Sequence, residues 1–423
     1  MPARDISVAD PARAAALEFL DELFRDVRPG QLQVRLWDGS LWRPGGAAVT
    51  LALKSPGALR AMFASPSDLS LGEAYIYDEF DIEGDIEAIF PVADRLFTRH
   101  LGLGGKFHYN SLLKRLPHDG HARHESLRLA GPPHAKERDQ QAVTYHYNVG
   151  NDFYRLWLDR RMVYSCAYFN TPGDDLDTAQ ERKLDYICRK LRLRPGQRLL
   201  DVGCGWGGLI IHAAANYGVD ALGITLSQPQ AELANQRIRG QGLQGRCRAE
   251  VRDYREVEGV FDKLVSVGMF EHVGARLLPE YFQRAWRLLR PGGAFLNHGI
   301  AESALKPDHG PSFSAKYVFP DGELVPIHAA LRAAEEAGWE VRDVESLREH
   351  YALTLQYWVR HLQQNAAQAR QIAGEVAYRI WRLYMAGSAH RFRTGWLNLY
   401  QALLVKADQG RSGLPLTRAD WYA

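Results

Sequence analysis

Between residues 198 and 300 the chain alternates short apolar runs with amphipathic stretches, a pattern that few architectures accommodate. The strand candidates are RLLDVG (198–203), DALGIT (220–225), RAEVRD (248–253), DKLVSV (262–267) and AFLNHGI (294–300). Helix candidates at 207–217, 228–240 and 279–290 separate them, the last closed by RPGG. Such alternation predicts an α/β fold, a doubly wound and mostly parallel Rossmann-like sheet. Ligands bind such sheets beyond the carboxyl ends of the strands, so the residues closing each strand are the first candidates for function.

LLDVGCGWGG (199–208) joins an apolar strand to a helix through Gly203, Gly205, Gly207 and Gly208. Glycines let a backbone turn sharply and approach a ligand closely, but this spacing alone is shared by several nucleotide-binding loops. Asp201, just before the first glycine, narrows the choice. A carboxylate there repels a pyrophosphate and suits an ammonium group, which favours S-adenosylmethionine over a dinucleotide. The next strand ends in GITLSQPQ (223–230), with no acid for a ribose. Thr225, Ser227, Gln228 and Gln230 offer hydrogen bonds instead, while Ser227 and Gln230 also have the spacing of a helix capping box. Asp253, in RDYRE (252–256), suits an adenine amino group and would look the same in a bare surface turn.

The bulk numbers limit the alternatives. A chain of 423 residues has room for two or three domains, and 24% charged with 46% apolar residues is ordinary for a globular protein. A net charge of +2 is too small to imply nucleic acid. Cys166, Cys188, Cys204 and Cys247 form no C-x-x-C pair and no zinc spacing, which predicts no disulfide scaffold or structural metal and a reducing cytosol. No secretion signal is expected at the N-terminus. Residues 202–219 carry no charged side chain, yet five glycines, a histidine and an asparagine exclude a membrane span there.

Residues 1–100 read as a small α+β domain, opened by a helix over 11–27 with Leu17, Leu20, Leu23, Phe24 and Val27 on one face. Residues 101–140 read as a basic connector. The stretch 99–138 holds eight Lys or Arg against three acids and six of the fifteen histidines, suiting either solvent or anionic headgroups. His118, His121 and His124 lack the cysteine or carboxylate that would complete a metal site. Residues 141–423 then form the catalytic domain.

Three further residues stand out. Glu271 and His272 follow the fourth strand in SVGMFEHVG, and His298 lies in the fifth. A carboxylate and an imidazole at adjacent strand ends suit chemistry, although Glu271 also suits a helix N-terminus and His298 a hydrogen-bonded core. Cys166, in MVYSCAYF (162–169), reads first as a packed thiol.

Five blocks, YHYNVGNDFYRLWLDRRMVYSCAYF, LLDVGCGWGG, GITLSQPQ, FDKLVSVGMFEHVG and LLRPGGAFLNHGI, closely resemble the cyclopropane-fatty-acyl-phospholipid synthases, related to the mycolic acid cyclopropane synthases. The resemblance runs over about 140–406, and LGEAYIYDEFD (71–81) is similar to that family's N-terminal domain. KYVFPDGELVP (316–326) is similar to a later block, with one extra residue before Pro326. The resemblance implies methylene transfer from S-adenosylmethionine to the cis double bond of phospholipid acyl chains, with bound bicarbonate as the base. It implies a bicarbonate cradle of Cys166, Glu271, His298, the Ile300 backbone and Tyr351, with Tyr147, Phe169 and Tyr351 as aromatics facing a cation. For the cofactor it implies Tyr164, Ser165, Asp201, Gly203, Gly205, Gly207, Thr225, Leu226, Gln230, Asp253 and Tyr254. A homodimer, cytoplasmic and peripheral at the inner membrane face, is also implied. The same site could yield methyl- or methylene-branched chains, and a methyltransferase of a soluble acceptor is the reading from a different class.

Overall fold

The computed structural model describes residues 10–98, 103–117, 129–147, 149–304 and 312–422. They divide into two compact units.

The first unit comprises described residues up to 117 together with 312–318 and 375–387. Its sheet orders β2 (Leu41–Trp42), β1 (Leu32–Arg35), β3 (Val49–Leu53) and β4 (Phe80–Gly84). The opening helix runs Pro11–Leu23, shorter than expected, with Asp10 accepting from the Ala12 N–H at its start. Leu20, Leu23, Phe24 and Val27 are buried as the periodicity predicts, while Leu17 is only half-buried.

The expected domain limits differ from this division. Residues 312–318 and 375–387, assigned by sequence to 141–423, belong to the first unit. Arg379 donates to the carbonyls of Tyr75 and Phe80, and Arg382 to the Tyr75 hydroxyl and the Ile82 carbonyl. Both are buried, so these arginines close off carbonyls of the unit. The expected connector is helical at Leu103–Arg115 and again from Lys136. His118, His121 and His124 lie outside the described residues. Among those described, no cluster of three His, Cys, Asp or Glu side chains could hold a metal ion.

The second unit carries the seven-stranded sheet. Its order is β10 (Glu340–Ser346), β11 (Leu397–Val405), β9 (Leu289–Glu302), β8 (Phe261–Val267), β5 (Arg198–Val202), β6 (Asp220–Thr225) and β7 (Cys247–Val251). Strands β5 to β9 run parallel, and β11 pairs antiparallel with both β9 and β10. The doubly wound expectation holds, with one reversed strand.

Adjacent residues explain why both faces are covered. Leu199, Ala221, Val265, Leu296 and Leu403 enter one core, with Leu184, Ile187 and Ile210 of the helices Leu176–Leu191 and Gly208–Tyr217. Their neighbours Leu200, Leu222, Leu264, Phe295 and Leu404 enter the other, with Phe282 and Ala333 of the helices Leu278–Leu288 and Ile327–Glu336. Side chains alternate across a pleat, so continuous apolar strands feed two cores. RPGG does stop the preceding helix, but within β9: Phe261 pairs with Leu289 and Lys263 with Ala294, so residues 290–293 bulge out.

The chain passes from β5 outward to β7, then returns to β8 beside β5. A crevice opens at that reversal, between the end of β5, which carries Asp201, and the loop after β8, which carries Glu271.

Candidate active site

The turn after β5 is held by Ile224, whose carbonyl accepts from the N–H groups of Gly203 and Cys204 at 3.0 and 2.9 Å. Gly203 has φ +93°, and a Cβ there would lie 2.8 Å from Met269 Cβ. Only glycine fits. The loop borders a cavity lined by Tyr164, Ser165, Asp201, Gly203, Gly205, Thr225, Leu226, Gln230, Asp253 and Tyr254. Every residue that the resemblance implies for the cofactor is therefore at its wall except Gly207, whereas Ser227 and Gln228, offered for the ribose, do not line it. That glycine (φ +79°) faces Ala234 of the helix Gln228–Gly240, 3.0 Å from where its Cβ would sit, and its successor Gly208 lines the cavity instead.

Asp201 is 2% exposed, and its Oδ1 has no hydrogen-bond partner among the described residues. Burial pushes its carboxyl up to about 7, opposed by the charge of Lys183. Lys183 is buried too, is driven down to about 8, and donates to Ser165 Oγ at 2.8 Å. Thr225 Oγ1 donates to Gln230 Oε1 at 2.7 Å, leaving Gln230 Nε2 buried and unpartnered. The capping-box expectation fails: Ser227 makes no side-chain cap, because Thr225 holds Gln230 in the other direction. Asp253 lines the cavity, but both its oxygens accept from the Arg255 side chain, at 2.7 and 2.6 Å. Burial raises its carboxyl and that fork outweighs it, so the net shift is downward. These unpartnered acceptor and donor atoms, with the glycine turn, fit an ammonium- and hydroxyl-bearing cofactor.

An aromatic wall closes the cavity. Tyr164 packs against Tyr154, Trp157 and Trp358, with ring centroids 5.6, 5.4 and 5.2 Å away. Tyr147 lines the cavity edge-on to Trp206, whose indole N–H donates to Asn151 Oδ1 at 2.7 Å. Burial pushes the Tyr147 hydroxyl up to about 12, the neighbouring Gln230 side chain opposes this, and the charge of Glu271 adds to it. Phe169 stacks instead on Tyr357, 5.8 Å away.

The residues expected around bicarbonate fall into linked groups. Ile300 N–H donates to Glu271 Oε1 at 2.7 Å, while Glu271 Oε2 is buried and has no partner among the described residues. Burial pushes Glu271 up to about 7 against that hydrogen bond. His298 is fully buried, and its Nε2 also has no partner among the described residues. Cys166 Sγ contacts the Leu347 carbonyl at 3.8 Å, the same carbonyl that accepts from the Tyr351 N–H at 3.0 Å. The Tyr351 ring packs on Phe392, centroid to centroid 4.7 Å. The charge of Lys183 reaches Cys166 and His298 as well as Asp201.

Cys166 is fully buried and burial drives its thiol well up, which disfavours the thiolate a nucleophile needs. Cys166→Ser is therefore expected to lower turnover by roughly 2–10-fold, the scale of one altered hydrogen bond. Complete loss with the fold intact would mark a covalent role.

Sequence reasoning missed Lys183, Lys190, Gln401 and Trp206, whereas His272, singled out with Glu271, does line the cavity. A signal existed for the lysines: they lie seven residues apart on the buried stripe of the helix Leu176–Leu191, where Leu184, Ile187 and Leu191 are core.

Residues 134–402 match the family described as mycolic acid cyclopropane synthetase, and residues 19–98 match a domain of unknown function. The chain is 43% identical over 402 residues to a probable fatty acid methyltransferase of Pseudomonas putida, covering 92% of this chain and 96% of that one. It is 32% identical over 378 residues to a cyclopropane-fatty-acyl-phospholipid synthase of Escherichia coli, covering 88% and 92%. A solved structure of mycolic acid cyclopropane synthase CmaA1, complexed with SAH and CTAB, matches with TM-score 0.60 and 35% identity over 63% of this chain and 97% of that one.

Proposed function

This chain belongs to the mycolic acid cyclopropane synthetase family and is an S-adenosylmethionine-dependent methyltransferase, and on that premise we propose that it closes a cyclopropane ring on the cis double bond of phospholipid acyl chains. The observation that carries the proposal is Glu271, anchored on the Ile300 N–H with its other oxygen buried and unpaired.

When bound, the sulfonium cofactor supplies an electrophilic methyl group, which the alkene takes up to leave a carbocation on the chain. Asp201 takes the cofactor's ammonium, and Lys183 keeps Asp201 from standing as a lone buried charge. Thr225 orients Gln230 so that its free amide N–H faces a hydroxyl. Tyr147, neutral throughout because its hydroxyl is held high, turns a π face towards positive charge, worth roughly 0.5–2 kcal/mol. When bound, bicarbonate supplies the base that takes a proton from the new methyl. Glu271 Oε2 would accept that anion's hydroxyl and His298 would donate to one of its oxygens, beside Cys166 and Tyr351, while the Ile300 N–H is already engaged in holding Glu271 Oε1. Burying such an anion without partners would be prohibitive, and this donor and acceptor set matches it.

The enzyme meets its lipid peripherally at the cytoplasmic face of a membrane and works as a homodimer. The basic stretch 99–138 supports the first of these. No described helix is long and apolar enough to cross a membrane. With labelled methyl donor and liposomes of a monounsaturated phospholipid, the label is expected in the acyl chains. Label confined to a water-soluble acceptor would overturn the proposal. The name of the Pseudomonas relative favours a second reading, in which the same site leaves a methyl or methylene branch.

A further inference from the structure

Two buried side chains behind His298, Gln401 and Lys190, form a chain whose direction is set by donor chemistry. Lys190, on the helix Leu176–Leu191, is fully buried and lies against Glu345, to which it donates, with Asp343 at 3.6 Å. Its remaining bond goes to Gln401 Oε1 at 2.9 Å. Burial pulls Lys190 down from its ordinary value and the two carboxylates oppose that; ion-paired with them it is an ammonium, and an ammonium only donates. The Gln401 atom facing it is therefore the oxygen, and the amide nitrogen must face the other way. There, Gln401 Nε2 lies 3.1 Å from His298 Nδ1. Gln401 on β11 and His298 on β9 are directly paired in register, and both are completely buried.

An amide N–H can meet Nδ1 only if Nδ1 carries no proton. We infer that Gln401, oriented by Lys190, is a positioning residue that fixes His298 as the neutral Nε2–H tautomer. His298 then enters the site as a hydrogen-bond donor and not as a base. Burial and the nearby charges of Lys183 and Lys190 agree with a ring that stays neutral. Its Nε2–H is buried without a partner among the described residues, so a ligand that accepts a hydrogen bond is what completes it. The use of that donor rests on the anion reading above, whereas the tautomer does not.

The test is nitrogen NMR of the full chain labelled at histidine, with His298 assigned by the signals lost in His298→Asn. The expected spectrum near neutral pH shows an unprotonated Nδ1 and a protonated Nε2. In Gln401→Glu the new carboxylate accepts from Nδ1–H, so the protonation pattern should invert or become that of an imidazolium. Turnover should fall about 10–100-fold, the scale of second-layer partners at other sites, with cofactor affinity unchanged. A protonated Nδ1 in the unaltered protein overturns the inference, and so does a Gln401→Glu spectrum identical to it. The unaltered protein alone decides the tautomer if the variant fails to fold. Adding bicarbonate separates the two claims: the stated tautomer with an unmoved Nε2–H signal upholds the inference and counts against the anion reading.

Discussion

Glu271→Gln is expected to reduce turnover by at least about 10²-fold, the loss typical of removing one preorganised polar group from a reacting site, while the affinity for S-adenosylmethionine stays as it was. The separation follows from geometry. Glu271 is seated on the Ile300 N–H outside the ring of residues that border the cofactor cavity, and its free oxygen is buried. An amide of the same shape keeps a carbonyl for the Ile300 N–H but presents an N–H or a weaker acceptor to the site. Calorimetry of cofactor binding beside a turnover assay checks both halves. Retained turnover would remove Glu271 from the reaction, and lost cofactor affinity would show the two sites to be one.

Asp201→Asn should do the reverse. Losing a charged acceptor for the cofactor's ammonium is expected to weaken S-adenosylmethionine binding about 10–100-fold, from roughly 1.5–3 kcal/mol for a hydrogen bond to a charged group. The pH dependence carries the same signature. Without cofactor, Asp201 is pushed from 3.8 up to about 7 by burial. A carboxyl whose folded-state value is raised contributes stability that is full below its unfolded value and is lost as pH rises through about 7. Glu271, raised from 4.5 to about 7, adds to the same loss. The cofactor-free protein should therefore melt at lower temperature as pH rises towards 8, and added cofactor should restore more at the high end. Asp201→Asn should flatten that difference. An unchanged pH trend of cofactor-induced stabilisation in the variant would place the ammonium elsewhere.

Local signals carried most of the fold and of the cofactor side. β5, β6 and β8 are short, largely apolar strands closed by a glycine or a polar turn, and Asp201, Thr225 and Asp253 lie at or just past strand ends. Distance in sequence hid the rest. β11 (Leu397–Val405) joins the sheet beside β9 (Leu289–Glu302) from far downstream and runs against the parallel set, with β10 (Glu340–Ser346) on its outer side, so no repeating strand–helix rhythm marks them. The segments 312–318 and 375–387 join the first unit through contacts such as Arg379 to Tyr75, which no local pattern encodes. Lys183 and Lys190 were visible as lysines on an apolar stripe, but their partners Ser165 and Gln401 are supplied only by folding. Gly207 shows the opposite error. Its place in the glycine motif suggested the cofactor, whereas its φ and the nearby Ala234 show that it lets two helical segments approach.

The central claim is that Glu271 and its neighbours serve a deprotonation that closes a ring. The direct measurement is the structure of the product: purified enzyme, S-adenosylmethionine and liposomes of a monounsaturated phospholipid, with the acyl chains read by mass spectrometry and proton NMR. The account predicts a chain heavier by one CH2 group, with upfield ring-proton signals and no remaining alkene. The same added mass with an exocyclic alkene, or a saturated methyl branch, would contradict it.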